Sequence, residues 1–175
     1  MNVRSPLPPE FLAQVRDLEA AYCQSDDPIV QSGFAGGATR WRAERGPILD
    51  AIPVAGDLLD VGCANGYLLE CLVNWSAKRG KRLTPHGVDL GPRLIALAKQ
   101  RLPRFADNLH IGNAWESVPP KKYRFVYSIW DCVPESKFDA YCHRLLSQFV
   151  APGGRLILGM YGSRSRNIPP IALGD

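Results

Sequence analysis

Apolar positions in this chain fall into two rhythms. Near the N-terminus Phe11, Val15, Leu18 and Tyr22 recur at helical spacing, which predicts an amphipathic helix up to about Gln24. The stretch SDDPIVQSGFAGGATR then breaks the rhythm with Asp27-Pro28 and with Gly33, Gly36 and Gly37. A second helical stretch carries Trp41 and Ile48, and Gly46-Pro47 predicts a kink or restart within it.

Beyond it, short and nearly unbroken apolar runs alternate with helical ones. DLLDVG predicts a strand, GYLLECLVNWSAK a helix and PHGVDL a second strand. PRLIALAKQRL predicts a helix with Leu94, Ala96, Leu97 and Leu102 facing inward, and NLHIGNA a third strand. RFVYSIW predicts a fourth strand, SKFDAYCHRLLSQFV a helix and GRLILGMYG a fifth strand. Strands apolar on both faces, separated by helices, predict an α/β fold with a doubly wound, mostly parallel sheet. Residues 1–52 read as an N-terminal helical lid or cap, and residues 53–175 as the core domain.

Composition narrows the class without choosing a function. The 175 residues are 46% hydrophobic and 22% charged, as in an ordinary globular protein, and the net charge of +4 permits nucleic acid without demanding it. The longest apolar stretches fall far short of the ~20 residues of a membrane span, and MNVRSPLPPEF has no apolar signal region, so a cytoplasmic protein is expected. The five cysteines are scattered, with no CxxC pair, and there are three histidines. That pattern predicts reduced thiols and no zinc site.

The loop after the first strand carries the chemistry. It runs G-x-x-x-G from Gly62 to Gly66, with Ala64 where the dinucleotide fingerprint has its second glycine. The G-K-[ST] of a nucleotide-phosphate loop is absent. Asp60 just before this loop would repel a pyrophosphate and attract a cation such as a sulfonium. Asp89 closes the second strand, where an acid of a doubly wound fold accepts hydrogen bonds from ribose hydroxyls. A cationic head, a close backbone approach and a ribose together describe S-adenosylmethionine.

On these residues the chain resembles a class I SAM-dependent methyltransferase, a Rossmann-like fold, over about residues 56 to 162. LDVGCANG is similar to the family's first motif, GVDLGPRLIALAKQRL to the segment after it and IGNAWESVP to its adenine segment. FVYSIWDCVP and LLSQFVAPGGRLILGMYG resemble the two that follow. The resemblance implies strand order 3-2-1-4-5, S-adenosyl-L-methionine as cofactor and S-adenosyl-L-homocysteine as product. It implies that Asp60 and Gly62 approach the methionine part, Asp89 the ribose, and Asn113 and Ala114 the adenine edge. Trp115 would pack against the ring, with Cys63, Ala64, Gly66, Leu90 and Ser128 completing the site. The family fold continues past its fifth strand with a helix and a hairpin of two more strands. Here SRSRNIPPIALGD follows, so that hairpin is expected to be absent, through truncation or a minimal fold. The fifth strand would then be an open edge, covered by the N-terminal segment, a partner subunit in a homodimer, or missing sequence.

Methyl transfer from a sulfonium is an in-line displacement, which needs a base only for an acceptor protonated at working pH. Asp131 after the fourth strand is the candidate base, and Tyr161 ends the fifth strand on the same rim. Trp41 is expected to roof the pocket and Arg42 to pair with the methionine carboxylate. Most basic clusters, among them Lys78, Arg79, Lys81, Arg82, Lys121 and Lys122, fall in helix-to-strand loops, on the rim opposite the site. That placement favours a small-molecule acceptor. The alternatives are the same chemistry on tRNA, rRNA or protein, and a non-catalytic SAM-binding module.

Overall fold

A computed structural model of the protein describes residues 5–161. Its centre is a five-stranded sheet in the order β3-β2-β1-β4-β5, every pairing parallel. The strands are β1 (Gly56–Val61), β2 (Leu83–Asp89), β3 (Leu109–Ile111), β4 (Tyr123–Ile129) and β5 (Val150–Gly159). The helices are α1 (Pro9–Tyr22), α2 (Gly37–Arg45), α3 (Tyr67–Ala77), α4 (Pro92–Arg101) and α5 (Phe138–Arg144). No helix among the described residues is long and apolar enough to cross a membrane. The expected loss of the C-terminal hairpin concerns residues 162–175, outside the described residues.

Each face of the sheet is covered because its strands are apolar on both sides. On one face Leu58, Phe125 and Tyr127 pack under α3, whose Leu68, Leu69 and Leu72 are all buried. Residues of the N-terminal segment, from Ile29 to Ile52, belong to this same cluster, so residues 1–52 do not form a core of their own. On the other face Leu59, Val61 and Val126 pack against Tyr141, Leu145 and Phe149, with Phe11 and Leu12 of α1 at the margin. Each fully buried leucine contributes about 1.5–3 kcal/mol of transfer free energy. In α4 the buried positions are Leu94, Ile95 and Ala98, followed by Leu102, whereas Ala96 is exposed and Leu97 half-buried. Leu94 and Leu102 are thus buried as expected, while Ile95 and Ala98 take the inward places expected of Ala96 and Leu97.

Three boundaries also differ. The third strand is short, because Asn113 turns the chain by bonding to Glu116 directly after it. The last helix ends in a π-turn at Leu145–Phe149. The fifth strand begins earlier, at Val150, and bulges before Arg155, where two residues of β4 span five of β5. Among the described residues β5 pairs only with β4, and Arg155 Nη1 donates to the Ala51 carbonyl at 3.3 Å.

Candidate functional site

The order of the sheet reverses beside β1, where chain connections leave in opposite directions. A cleft opens there at the carboxyl ends of β1, β2 and β4, the position where such sheets bind ligands. It measures about 800 Å³, counted to its open mouth. The floor is Val61, Gly62, Ala64, Val88, Asp89 and Leu90, and one wall is Gly112, Asn113 and Ala114. Ile129, Asp131 and Cys132 close the far end.

The loop after β1 is built around the two acids differently. Asp89 Oδ2 accepts the Ala64 N–H at 2.9 Å, and its Oδ1 accepts the Gly91 N–H at 2.8 Å. Burial raises the pKa of Asp89, and these two amide bonds act against the rise. Ala64 sits at φ +46°, a left-handed conformation that costs an alanine about 1–2 kcal/mol, so its bond to Asp89 holds a strained turn. Gly62 also has positive φ, and a Cβ there would lie 2.8 Å from Cys132 Sγ. Asn65 is wholly buried and ties the loop to the preceding segment, its amide donating to the Pro28 carbonyl at 3.0 Å and to Gln31 Oε1 at 3.1 Å.

Asp60 does not line the cleft. Its side chain points to the Leu58 face, is 2% exposed, and its Oδ2 has no hydrogen-bond partner among the described residues. Burial, reinforced by Asp89, raises its pKa to about 8, while Arg45 on the same face acts to lower it. Asp60, expected to approach a cationic head, lies behind the loop on the face it shares with Leu58 by strand parity. Cys63 and Gly66 are likewise buried outside the cleft lining, and a Cβ at Gly66 would meet Ala98 at 3.0 Å.

Other expected site residues take structural places. Trp41 is 3% exposed in the core, its ring edge-on to Phe34 at 5.4 Å and tilted on Tyr67 at 5.3 Å. Arg42 lies over the Trp75 ring at 4.0 Å. Neither reaches the cleft, because α2 packs against α3 rather than over the loop. Trp115 is also buried away from it, its indole N–H donating to the Ser5 carbonyl at 2.9 Å. Ser128 is fully buried, with its hydroxyl 2.9 Å from Tyr141 Oη. Tyr161 stands apart from Asp131, under Arg45 (3.6 Å from the guanidinium carbon to the ring centre), with its hydroxyl 3.3 Å from Tyr127 Oη. Gly62, Ala64, Asp89, Leu90, Asn113, Ala114 and Asp131 are the expected residues that the cleft brings together.

A roof was expected from the N-terminal segment at Trp41, and α1 of that segment lines the cleft instead. Phe11, Val15, Leu18, Glu19 and Tyr22 of α1 cover the cleft, with Ser32 beside them. Their spacing was visible, but a helical apolar stripe looks the same whether it packs on a core or on a cavity. Asn113 lines the cleft and also bonds within its own turn: its Oδ1 accepts the Glu116 N–H at 2.8 Å and its amide donates to Glu116 Oε2 at 3.0 Å. Arg144 clamps the same turn from α5, its Nε donating to the Ala114 carbonyl at 2.6 Å. Cys132 lines the cleft, but its Sγ donates to the Val61 carbonyl at 3.3 Å and burial pushes its thiol up to about 12, so it is no nucleophile at neutral pH.

No protein-family model matches the chain. Among solved structures it is similar to phosphoethanolamine N-methyltransferase 1 of Haemonchus contortus, solved with phosphoethanolamine and S-adenosylhomocysteine. The TM-score is 0.66 at 14% identity, over 100% of this chain and 39% of that one. It is similar to the cyclase SpnF, with TM-score 0.63 and 16% identity over 89% of this chain and 61% of that one. It is also similar to geranyl diphosphate C-methyltransferase of Streptomyces coelicolor A3(2), solved with Mg2+, geranyl diphosphate and S-adenosyl-L-homocysteine. There the TM-score is 0.59 and the identity 17%, over 88% of this chain and 65% of that one. The chain thus spans less than two thirds of the length of these proteins. Together with the strand order, these likenesses give the fold: that of the class I SAM-dependent methyltransferases.

Proposed function

We propose that this protein binds S-adenosylmethionine in the cleft and transfers its methyl group to an oxygen or nitrogen of a small molecule. The fold alone does not choose this chemistry, since a cyclase shares it. The observation that carries the reading is the bond from the Ala64 N–H to Asp89. A loop amide that a pyrophosphate-binding loop would present to its ligand is occupied by a carboxylate, so the cleft disfavours a dinucleotide. The residues present fit the cofactor. Asp89 meets ribose hydroxyls, Leu90 and Ala114 offer apolar surface to a purine, and Gly62 lets the chain approach the amino-acid end.

The bound cofactor supplies an electrophilic methyl group, and this chain supplies position and shielding. Phe11, Val15 and Leu18 give the cleft an apolar side against which a bound cofactor would be shielded. Asp131, half-buried after β4 and lining the cleft, is the group we assign to take a proton from an acceptor hydroxyl or ammonium. A cleft lined mainly by apolar side chains suits a small acceptor better than a nucleic acid. Basic groups on the opposite rim are partly neutralised there, Lys121 by Asp57 at 2.6 Å and Arg79 by Asp50 at 3.1 Å.

The test is transfer of label from methyl-tritiated S-adenosylmethionine into separated fractions of a cell extract. Label in the low-molecular-weight fraction, lost with Asp89→Ala, is the expected result. Label entering RNA or protein instead would overturn the choice of acceptor.

A further inference from the structure

We infer that Glu19 is a second ribose-binding residue, which together with Asp89 restricts the cleft to cofactors whose ribose carries no phosphate. The inference rests on the reading of the cleft as an adenosylmethionine site. Glu19 is the acid on the α1 stripe that covers the cleft, among Phe11, Val15, Leu18 and Tyr22. A roof alone would place another apolar residue there, yet Glu19 is only 8% exposed.

Both acids converge on one turn. Asp89 Oδ1 accepts the Gly91 N–H at 2.8 Å, and Glu19 Oε1 accepts the Arg93 N–H at 2.7 Å. Gly91 between them makes room, because a Cβ there would lie 2.9 Å from Glu19 Oε1. The charge of Glu19 acts on Asp89, opposing its ionisation, so the two groups are close enough to interact. An ionised carboxyl group has about four acceptor positions, and the amide bonds leave each of these acids with capacity to spare. Two ribose hydroxyls are two donors, which such a pair can share out. A ribose phosphate would bring negative charge against both carboxylates. Arg93 does not reverse this, since its Nε lies 3.9 Å from Glu19 Oε2 and its side chain is more than half exposed.

The experiment is calorimetric titration of the full chain with S-adenosylhomocysteine and with its 2′-deoxy and 3′-deoxy analogues, on wild type, Glu19→Gln and Glu19→Asp. Gln keeps an acceptor for the Arg93 N–H and loses the charge, and Asp keeps the charge and shortens the reach. Wild type is expected to bind each deoxy analogue about ten-fold more weakly than the parent, as for loss of a charge-assisted hydrogen bond. Both variants are expected to weaken the parent by about the same factor and to lose discrimination at one hydroxyl while keeping it at the other. Variants that weaken all three ligands equally would overturn the inference and leave Glu19 as a latch for the roof. Wild type that binds the parent without distinguishing either analogue would overturn it with no variant needed. Wild type that does not bind the parent at all would overturn the cofactor reading itself.

Discussion

At Asp60 a carboxyl group is buried beside a second acid, and its titration reaches the stability of the whole fold. Its folded-state pKa of about 8 stands above the unfolded value of 3.8. Between those limits the native state holds a proton that the unfolded chain has lost. The stability contributed by this group is therefore full below about pH 4 and is lost, at up to about 1.4 kcal/mol per pH unit, as pH rises to about 8. His86 works the other way: burial lowers its pKa from 6.5 to about 4, so its contribution is lost as pH falls through that window. The two oppose one another in mild acid, and the slope from Asp60 runs in the same direction as that from Asp89, whose pKa burial also raises. Asp60→Asn, which imitates the neutral acid, is expected to remove most of the decline between pH 6.5 and 8 in denaturant titrations. An unchanged decline would show that Asp60 ionises freely in the folded protein. Gly62→Ala tests the loop itself, since positive φ and the Cys132 sulfur both oppose a Cβ. A loss of roughly 2 kcal/mol is expected from the same titrations, and a neutral substitution would mean that the turn is not held as described.

The second and third helices show how an element can carry an expected residue to another place. α2 presents Trp41 and Arg42 to the α3 side of the sheet, where Trp41 fills the core and Arg42 lies on Trp75. Trp41→Ala is expected to lower unfolding free energy by about 3–5 kcal/mol, as for a large aromatic removed from a core. Arg42→Ala is expected to leave S-adenosylhomocysteine affinity within about two-fold of wild type, because the side chain lies on Trp75 and lines no part of the cleft. A ten-fold loss of affinity in Arg42→Ala would restore that residue to the cofactor site. α1 is the converse case, an ordinary amphipathic helix whose stripe covers a cavity.

Across the whole molecule, the sheet was legible because its signal is redundant. Apolar runs such as DLLDVG and RFVYSIW repeat between helical stretches, and a parallel sheet follows from the alternation. Gly62 and Asp89 were legible because each stands at the end of a strand, and Gly66 because it opens a helix at positive φ. What could not be read was direction. Aromatic residues such as Trp41 and Trp115 are equally at home in a core and against a ligand. Asp60 offered one usable signal, its strand parity with Leu58, which assigns it to the α3 face rather than to the cleft. The roof depends on how α1 crosses the sheet, which no local pattern encodes.

The central claim is that the cleft between Asp89 and Asp131 takes an adenosyl cofactor and no dinucleotide. Calorimetric titration of the wild-type chain with S-adenosylhomocysteine, with NAD as control, tests it most directly. Micromolar binding of the first and none of the second is the predicted result, with Asp89→Ala abolishing it. Binding of NAD in preference would contradict the account, since the Ala64 N–H that a pyrophosphate would need is bonded to Asp89.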